Sequence, residues 1–224
     1  MEFEVNREVL IPRPETEHII EVALDRLALR EVRAGRPNKN DGDGLLIADV
    51  GTGSGCIVVA LAKELPRARF VATDISRAAL DVARRNATRH GAAERIQFVE
   101  ADLLRGSGEW RVASGEQENA KAAFDVVVSN PPYIGRRETG TLAREVLEHE
   151  PELALFGGEE GYELYGELIR QAAERLKPGG VLVLELGYNS LPAVEPLLEA
   201  AHWTSVGVTA DLASIPRVIA AERR

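Results

Sequence analysis

The sequence has one cysteine, Cys56, and one methionine, Met1, in 224 residues. A lone thiol excludes an internal disulfide framework and any multi-cysteine metal site, and it suits a reducing compartment. The four histidines are scattered, with none beside a motif, so no metal centre is expected. No apolar run approaches the roughly 20 residues that a membrane span needs. Positive charge is not in excess either. The formal net charge is −9, which argues against non-specific binding along a nucleic-acid backbone. The opening MEFEVNREVL lacks the charged-then-apolar pattern of a secretory signal. The expectation is a soluble, cytoplasmic, monomeric protein with no membrane partner and no direct nucleic-acid partner. It is long enough for one large domain, or a domain with an appendage.

What is present is a regular alternation. Short extended pieces around Val5 and Val9–Ile11 precede PRPETE. An amphipathic helix is predicted over 15–33, with Ile19, Ile20, Val22, Ala23, Leu24 and Leu27 on its apolar side. A polar, glycine-rich loop follows at 34–44. From Leu45 onward, apolar strands (LLIADV, ARFVATD, RIQFVEAD, FDVVVSN, GGVLVLELG) alternate with helical patterns. A last helix is predicted over 190–201, and two closing strands near 203–209 and 216–222 as an antiparallel pair. The fold class is therefore α/β: a mostly parallel sheet of seven strands with an antiparallel last strand, and helices on both faces. Residues 1–33 hold the N-terminal segment and first helix, and 45–224 the core. Residues 105–122, polar and rich in Gly and Ser, read as a surface insertion.

Two constellations carry chemistry. The first is DVGTGSGC, Asp49 to Cys56, directly after the first strand. Glycines at 51, 53 and 55 let a ligand approach the backbone closely and aim the next helix at it. The spacing departs from the dinucleotide fingerprint, and no Gly-Lys-Ser/Thr follows to grip phosphate. Asp74 ends the second strand, where a carboxylate can accept both hydroxyls of a ribose. Asp102 ends the third. A plainer reading makes either aspartate a helix N-cap. Together with the glycine turn they describe a nucleoside pocket.

The second constellation is Asn130-Pro131-Pro132-Tyr133, at the end of the fourth strand. A planar amino group is a poor nucleophile, because its lone pair is delocalised. Two fixed acceptors for its hydrogens would aim that lone pair and stabilise the charge that develops on nitrogen. The Asn130 carboxamide oxygen is one candidate and the Pro131 carbonyl the other. Tyr133 could stack on the flat face of the group. A proline-rich turn ending a strand is the plainer alternative.

DVGTGSG, Asp74, EAD at 100–102 and NPPY resemble the S-adenosylmethionine-dependent methyltransferases of the Rossmann-like class. The resemblance implies that Gly51, Thr52, Gly53, Ser54 and Gly55 pack near the methionine part of that cofactor. Asp74, with Ile75 beside it, would hold the ribose, Asp102 and Leu103 would border the adenine, and Asn130 would face the methyl group. The product would be S-adenosylhomocysteine.

NPPY occurs in enzymes that methylate amino groups of DNA, RNA or protein, so a DNA or RNA base remains the alternative substrate. VLIPRPETE, residues 9–17, resembles the signature of the HemK/PrmC family, and the similarity continues through EPELALFGGEEGYELY and LKPGGVLVLELG. That family methylates the side-chain amide of the glutamine in the Gly-Gly-Gln motif of class I peptide-chain release factors. FEVNREVLIPRPETE also resembles the hairpin and first helix of that family's catalytic domain, which implies an N-terminal hairpin and helix over 1–33 and leaves this chain without the family's usual helical N-terminal domain. Arg13 and Glu15 are expected to fix the loop beside a substrate channel through ion pairs or hydrogen bonds. A proline-started helix with acidic first-turn residues accounts for the same letters. FGGEEG, 156–161, reads either as a flexible rim over the substrate or as the approach to the next helix.

Overall fold

The computed structural model describes residues 1–33, 41–105, 124–142 and 144–224. The strands are β1 (Leu46–Val50), β2 (Arg69–Asp74), β3 (Ile96–Glu100), β4 (Phe124–Ser129), β5 (Ile134–Gly135), β6 (Phe156–Gly158), β7 (Leu176–Glu185), β8 (Trp203–Ala210) and β9 (Pro216–Arg223). The helices are α1 (Glu17–Arg33), α2 (Cys56–Glu64), α3 (Arg77–Arg89), α4 (Arg144–His149), α5 (Glu152–Leu155), α6 (Glu163–Arg175) and α7 (Leu191–Val194). The main sheet has the order β3-β2-β1-β4-β7-β9-β8. It is parallel except where β9 runs against both neighbours. The predicted seven-stranded architecture and its antiparallel last strand are both present.

Why both faces of this sheet are covered is visible in the strands. Successive side chains point to opposite faces. Ile47, Phe70, Ala72, Val126, Val128, Val181 and Val183 pack on one face with α1 and α2. Their neighbours Ala48, Val50, Val71, Val127, Leu182 and Leu184 pack on the other with Tyr165, Leu168 and Ala172 of α6. An unbroken apolar strand such as β4 is what a doubly covered sheet requires. No helix among the described residues is long and apolar enough to cross a membrane.

Two expectations are corrected. Residues 1–13 form no hairpin. Instead the backbone of Glu4 is taken up by Asn86 of α3: Glu4 N donates to Asn86 Oδ1 at 2.7 Å and Asn86 Nδ2 donates to the Glu4 carbonyl at 2.9 Å. Val9 is buried against Ala79 and Val82 of the same helix. The segment is a strap, because a side chain supplies the bonds that a partner strand would have supplied. The last helix is also short. α7 gives way to a 3-10 turn at Glu195–Leu197, where Pro196 lacks the donor an α-helix needs. The predicted loop at 34–44 and the insertion at 105–122 lie largely outside the described residues.

The strand order reverses between β1 and β4, since β1 continues to β2 on one side and pairs with β4 on the other. In open sheets of this kind the crevice beyond the carboxyl ends at such a point takes the ligand. Both constellations lie there: the glycine turn leaves β1, and NPPY leaves β4.

Candidate active site

The turn after β1 has Gly51, Gly53 and Gly55 at φ of 69°, 53° and 80°. All three lie in the left-handed region that favours glycine. A Cβ on Gly51 or Gly53 would meet open space, whereas one on Gly55 would stand 3.0 Å from the Ala83 Cβ. The first two leave room at the cavity, while Gly55 lets α2 and α3 pack closely. Beneath the turn, Asp49 is fully buried, accepting from the Thr52 hydroxyl at 2.6 Å and the Val58 amide at 3.2 Å. Burial pushes its carboxyl up to about 7.

Asp74 grips its own neighbourhood. Its oxygens accept from Gly53 N at 2.9 Å and Ser76 N at 2.8 Å, and burial raises its pKa. It is not the N-cap of α3; Ser76 is, accepting from Ala79 N. Asp102 opens no helix but forms an isolated bridge with Arg105. Leu103, between them, has a φ of 56°, a position costly for a residue with a Cβ. The turn is held by Leu104, whose amide donates to Gln171 Oε1 at 2.8 Å and whose side chain is fully buried.

These ends surround a cavity of about 520 Å³, a volume within the small-molecule range. Gly51, Thr52, Gly53, Ser54, Asp74, Ile75, Asp102, Leu103, Asn130 and Pro132 line it; Gly55, Pro131, Tyr133, Arg13 and Glu15 do not. Among the described residues its lining includes four acids, Glu8, Asp74, Asp102 and Glu163, and no Lys or Arg. Such a site suits a cationic nucleoside and disfavours a pyrophosphate. The glycine turn, the acceptor on β2 and the absence of a base therefore fit S-adenosylmethionine, with its sulfonium and ammonium charges.

The strap closes one side of the cavity through Val9, Leu10 and Pro12, and Thr16 joins them. The sequence reading gave VLIPRPETE to the substrate side and missed these positions. Phe156, Gly157 and Gly158 close another side. Here FGGEEG is neither a free rim nor only an approach to α6. Its strand β6 pairs with β5, and Gly157 and Gly161 lie against the backbone of Pro132, Tyr133 and Ile134.

Behind the cavity lies a polar cluster. Asn130 Nδ2 donates to Thr16 Oγ1 at 3.2 Å. The Tyr133 hydroxyl donates to Glu185 Oε1 at 3.4 Å, and its ring rests on Gly187. Burial, with Glu185 beside it, pushes the Tyr133 phenol up to about 12. Glu185, at the end of β7, is 2% exposed. Burial pushes its carboxyl up to about 7, opposed by the nearby Thr16 hydroxyl and the charge of Arg217. Arg13 forms an ion pair with the buried Glu150, rather than with Glu15. Glu15 instead adds its negative charge beside Glu185. Glu150 and Glu185 were not foreseen, because each reads as one acid among ordinary strand or loop residues.

A glycine turn, a carboxylate at the end of β2 and an NPPY corner around an acidic cavity, on this sheet order, define a Rossmann-like class I methyltransferase. Residues 38–159 match the family described as "Methyltransferase small domain". The release factor glutamine methyltransferase of Koribacter versatilis is 43% identical over 97% of this chain and 68% of its own length. That of Chlorobaculum tepidum is 44% identical over 96% of this chain and 68% of its own. A methyltransferase structure from Pyrococcus furiosus superposes with a TM-score of 0.63 at 18% identity, covering 98% of this chain and 87% of that one. The N-terminal domain of human METTL16 in complex with SAH gives 0.60 at 20% identity, covering 98% and 74%. The chain belongs to the release factor glutamine methyltransferase family.

Proposed function

We propose that this chain transfers a methyl group from S-adenosylmethionine to the side-chain amide nitrogen of the glutamine in the Gly-Gly-Gln motif of class I peptide-chain release factors. Membership of that family carries the reading, and the acidic, base-free cavity beside NPPY supports it.

When bound, S-adenosylmethionine supplies an electrophilic methyl group on a positively charged sulfur. The carboxylates of Glu8, Asp74, Asp102 and Glu163 favour that charge. Asp74, with Ile75 beside it, would take the ribose hydroxyls, Asp102 and Leu103 would border the base, and Gly51 to Ser54 would leave the methionine end room. The Asn130 carboxamide oxygen accepts one hydrogen of the glutamine –NH₂, and the Pro131 carbonyl accepts the other. The nitrogen is thereby held with its lone pair toward the methyl carbon. The same two acceptors stabilise the positive charge that grows on nitrogen. Once cationic, nitrogen loses its proton readily, so no side-chain base is needed. Pro132 lines the cavity and Tyr133 braces the corner from behind. Arg13, through Glu150, holds the strap closed, and Glu15 stands on the substrate side.

The test is incubation of the chain with S-adenosylmethionine and a class I release factor, followed by mass mapping of the Gly-Gly-Gln peptide. One added methyl on that glutamine is expected; methyl transfer to DNA or RNA instead would overturn the reading.

A further inference from the structure

Asn86 of α3 is fully buried, and it is not among the residues that line the cavity. A buried carboxamide must find partners or lower stability. Asn86 finds them on two separate walls of the cavity. Its Oδ1 accepts from Glu4 N at 2.7 Å, and its Nδ2 donates to the carbonyls of Glu4 at 2.9 Å and of Ser54 at 2.8 Å. A carbonyl only accepts and a backbone N–H only donates, so a single orientation of the side chain serves all three. Glu4 belongs to the strap, and Ser54 to the glycine turn.

The face of α3 shows how one residue reaches both. Ala79, Val82, Ala83 and Asn86 recur at the i, i+3, i+4, i+7 spacing of one helical face. Val9 of the strap is buried against Ala79 and Val82, and the Gly55 backbone lies close against Ala83. The strap therefore runs along α3 beside the turn. Two further contacts hold it: His90 Nε2 donates to the Glu2 carbonyl at 2.7 Å, and Arg85 pairs with the Glu4 carboxylate at 2.8 Å. Both are exposed and weak beside the bonds of a buried side chain.

The consequence lies at the other end of the strap. Glu8, Val9, Leu10 and Pro12 wall one side of the cavity, and Gly51 to Ser54 another. A strap that lifts leaves Asn86 without its Glu4 partners. A turn that swings the Ser54 carbonyl away leaves it a free buried hydrogen. Each loss is costly in the interior, so each element favours the placed form of the other.

We propose that Asn86 is a positioning residue for cofactor binding: its carboxamide ties the strap to the glycine turn, so that closure of the strap on the cavity and the shape of the turn are set together. This rests on the reading of the cavity as the S-adenosylmethionine site. Coupling of this kind is reciprocal. A cofactor held by the turn tightens the strap even at residues 2–5, which line no part of the cavity.

The experiment uses the full chain, with hydrogen exchange read by mass, calorimetry with S-adenosylhomocysteine, and methylation of a class I release factor. Glu4→Pro removes the amide that Asn86 Oδ1 accepts from and touches only the strap. Without any ligand, it is expected to speed exchange in the peptide spanning residues 49–58. It should also weaken S-adenosylhomocysteine binding by about fivefold or more, the lower edge of ordinary coupling between sites. Arg85→Ala, which removes only the exposed ion pair, should change neither. Asn86→Ala should raise KM for S-adenosylmethionine by about tenfold or more and leave kcat at saturating cofactor within about threefold, a split that a general loss of stability would not produce. In the wild type, S-adenosylhomocysteine should slow exchange at residues 2–5. Wild-type exchange at 49–58 together with wild-type affinity in Glu4→Pro, or strap exchange indifferent to S-adenosylhomocysteine, would overturn the proposal. A wild-type chain that binds no S-adenosylhomocysteine would overturn the cofactor reading instead, and the ligand-free exchange of Glu4→Pro would still decide whether the tie exists. If Asn86→Ala does not fold, Glu4→Pro carries the test.

Discussion

A Cβ on Gly157 would stand 2.2 Å from the Pro132 carbonyl oxygen and 2.5 Å from that of Gly161. Real Cβ atoms do not approach backbone so closely, so glycine at 157 lets FGGEEG seat against NPPY. Gly161 and Gly135 repeat the relationship: a Cβ on Gly161 would lie 2.4 Å from the Tyr133 carbonyl oxygen, and one on Gly135 2.8 Å from that of Glu159. The proposed acceptors are therefore braced by backbone on one side and by the Glu185 cluster on the other.

Gly157→Ala is expected to push the corner aside and lower kcat by roughly 10²-fold, since an ångström of misplacement costs about that much. The control is Gly166→Ala, inside α6, where a Cβ would meet nothing within 4 Å. It should leave turnover unchanged and gain roughly 0.5–1 kcal/mol of stability. Steady-state kinetics and thermal melts of the pair read out both. Unchanged kcat in Gly157→Ala would show that the brace is dispensable.

Asn130→Ala removes one acceptor and leaves the glycine turn and Asp74 in place. It should bind S-adenosylhomocysteine within a few-fold of wild type and transfer methyl roughly 10²-fold more slowly. Calorimetry and the methylation assay separate the two effects. Wild-type turnover would remove Asn130 from the mechanism.

Asp74→Asn puts a donor where one of two backbone amides, Gly53 N or Ser76 N, now donates to a carboxylate oxygen. It also removes one negative charge from the cavity. The dissociation constant for S-adenosylmethionine should rise by roughly 10- to 100-fold, the scale of one or two lost charge-assisted bonds. Saturating cofactor should restore much of kcat. Calorimetric titration that finds unchanged affinity would argue against a ribose role.

Arg13 joins the strap to Glu150, whose side chain is 3% exposed. Arg13→Ala leaves that carboxylate buried without its cation and is expected to cost about 1–3 kcal/mol. Because the strap residues before it and Phe156 beyond Glu150 line one cavity, cofactor affinity should fall as well. Adding Glu150→Gln should restore part of the melting temperature, since it removes the uncompensated charge. A double variant less stable than Arg13→Ala would contradict this account.

How much of this was legible in the sequence follows from how local each feature is. The LIADV and FDVVVS strands, the alternation with helices and the glycine turn are local patterns, and each stands where periodicity put it. Asp74 was legible because it ends a strand at a set distance from that turn. The clusters behind the site were not, because their partners are remote: Asn130 meets Thr16 across 114 positions, and Arg13 meets Glu150 across 137. No local window distinguishes Glu185 from an ordinary polar strand end. The hairpin expectation failed for the same reason, since Asn86, 82 positions from Glu4, supplies the bonds a strand would have.

Glu185 and Asp49 give the fold a pH dependence of definite sign. Burial raises each carboxyl from its ordinary value to about 7. The unfolded chain thus releases these protons at lower pH than the folded chain. Their stabilising contribution is complete below pH of about 4 and declines until pH passes about 7. Glu185→Gln removes the Glu185 share of that decline. At pH 4 the variant and the wild type should melt at similar temperatures. At pH 8 the variant should be the more stable, by up to about 3 kcal/mol for a shift of this size, less whatever the Tyr133 bond loses. Thermal melts from pH 4 to 8 measure it. A variant that is less stable at pH 8 would mean that Glu185 holds the fold together.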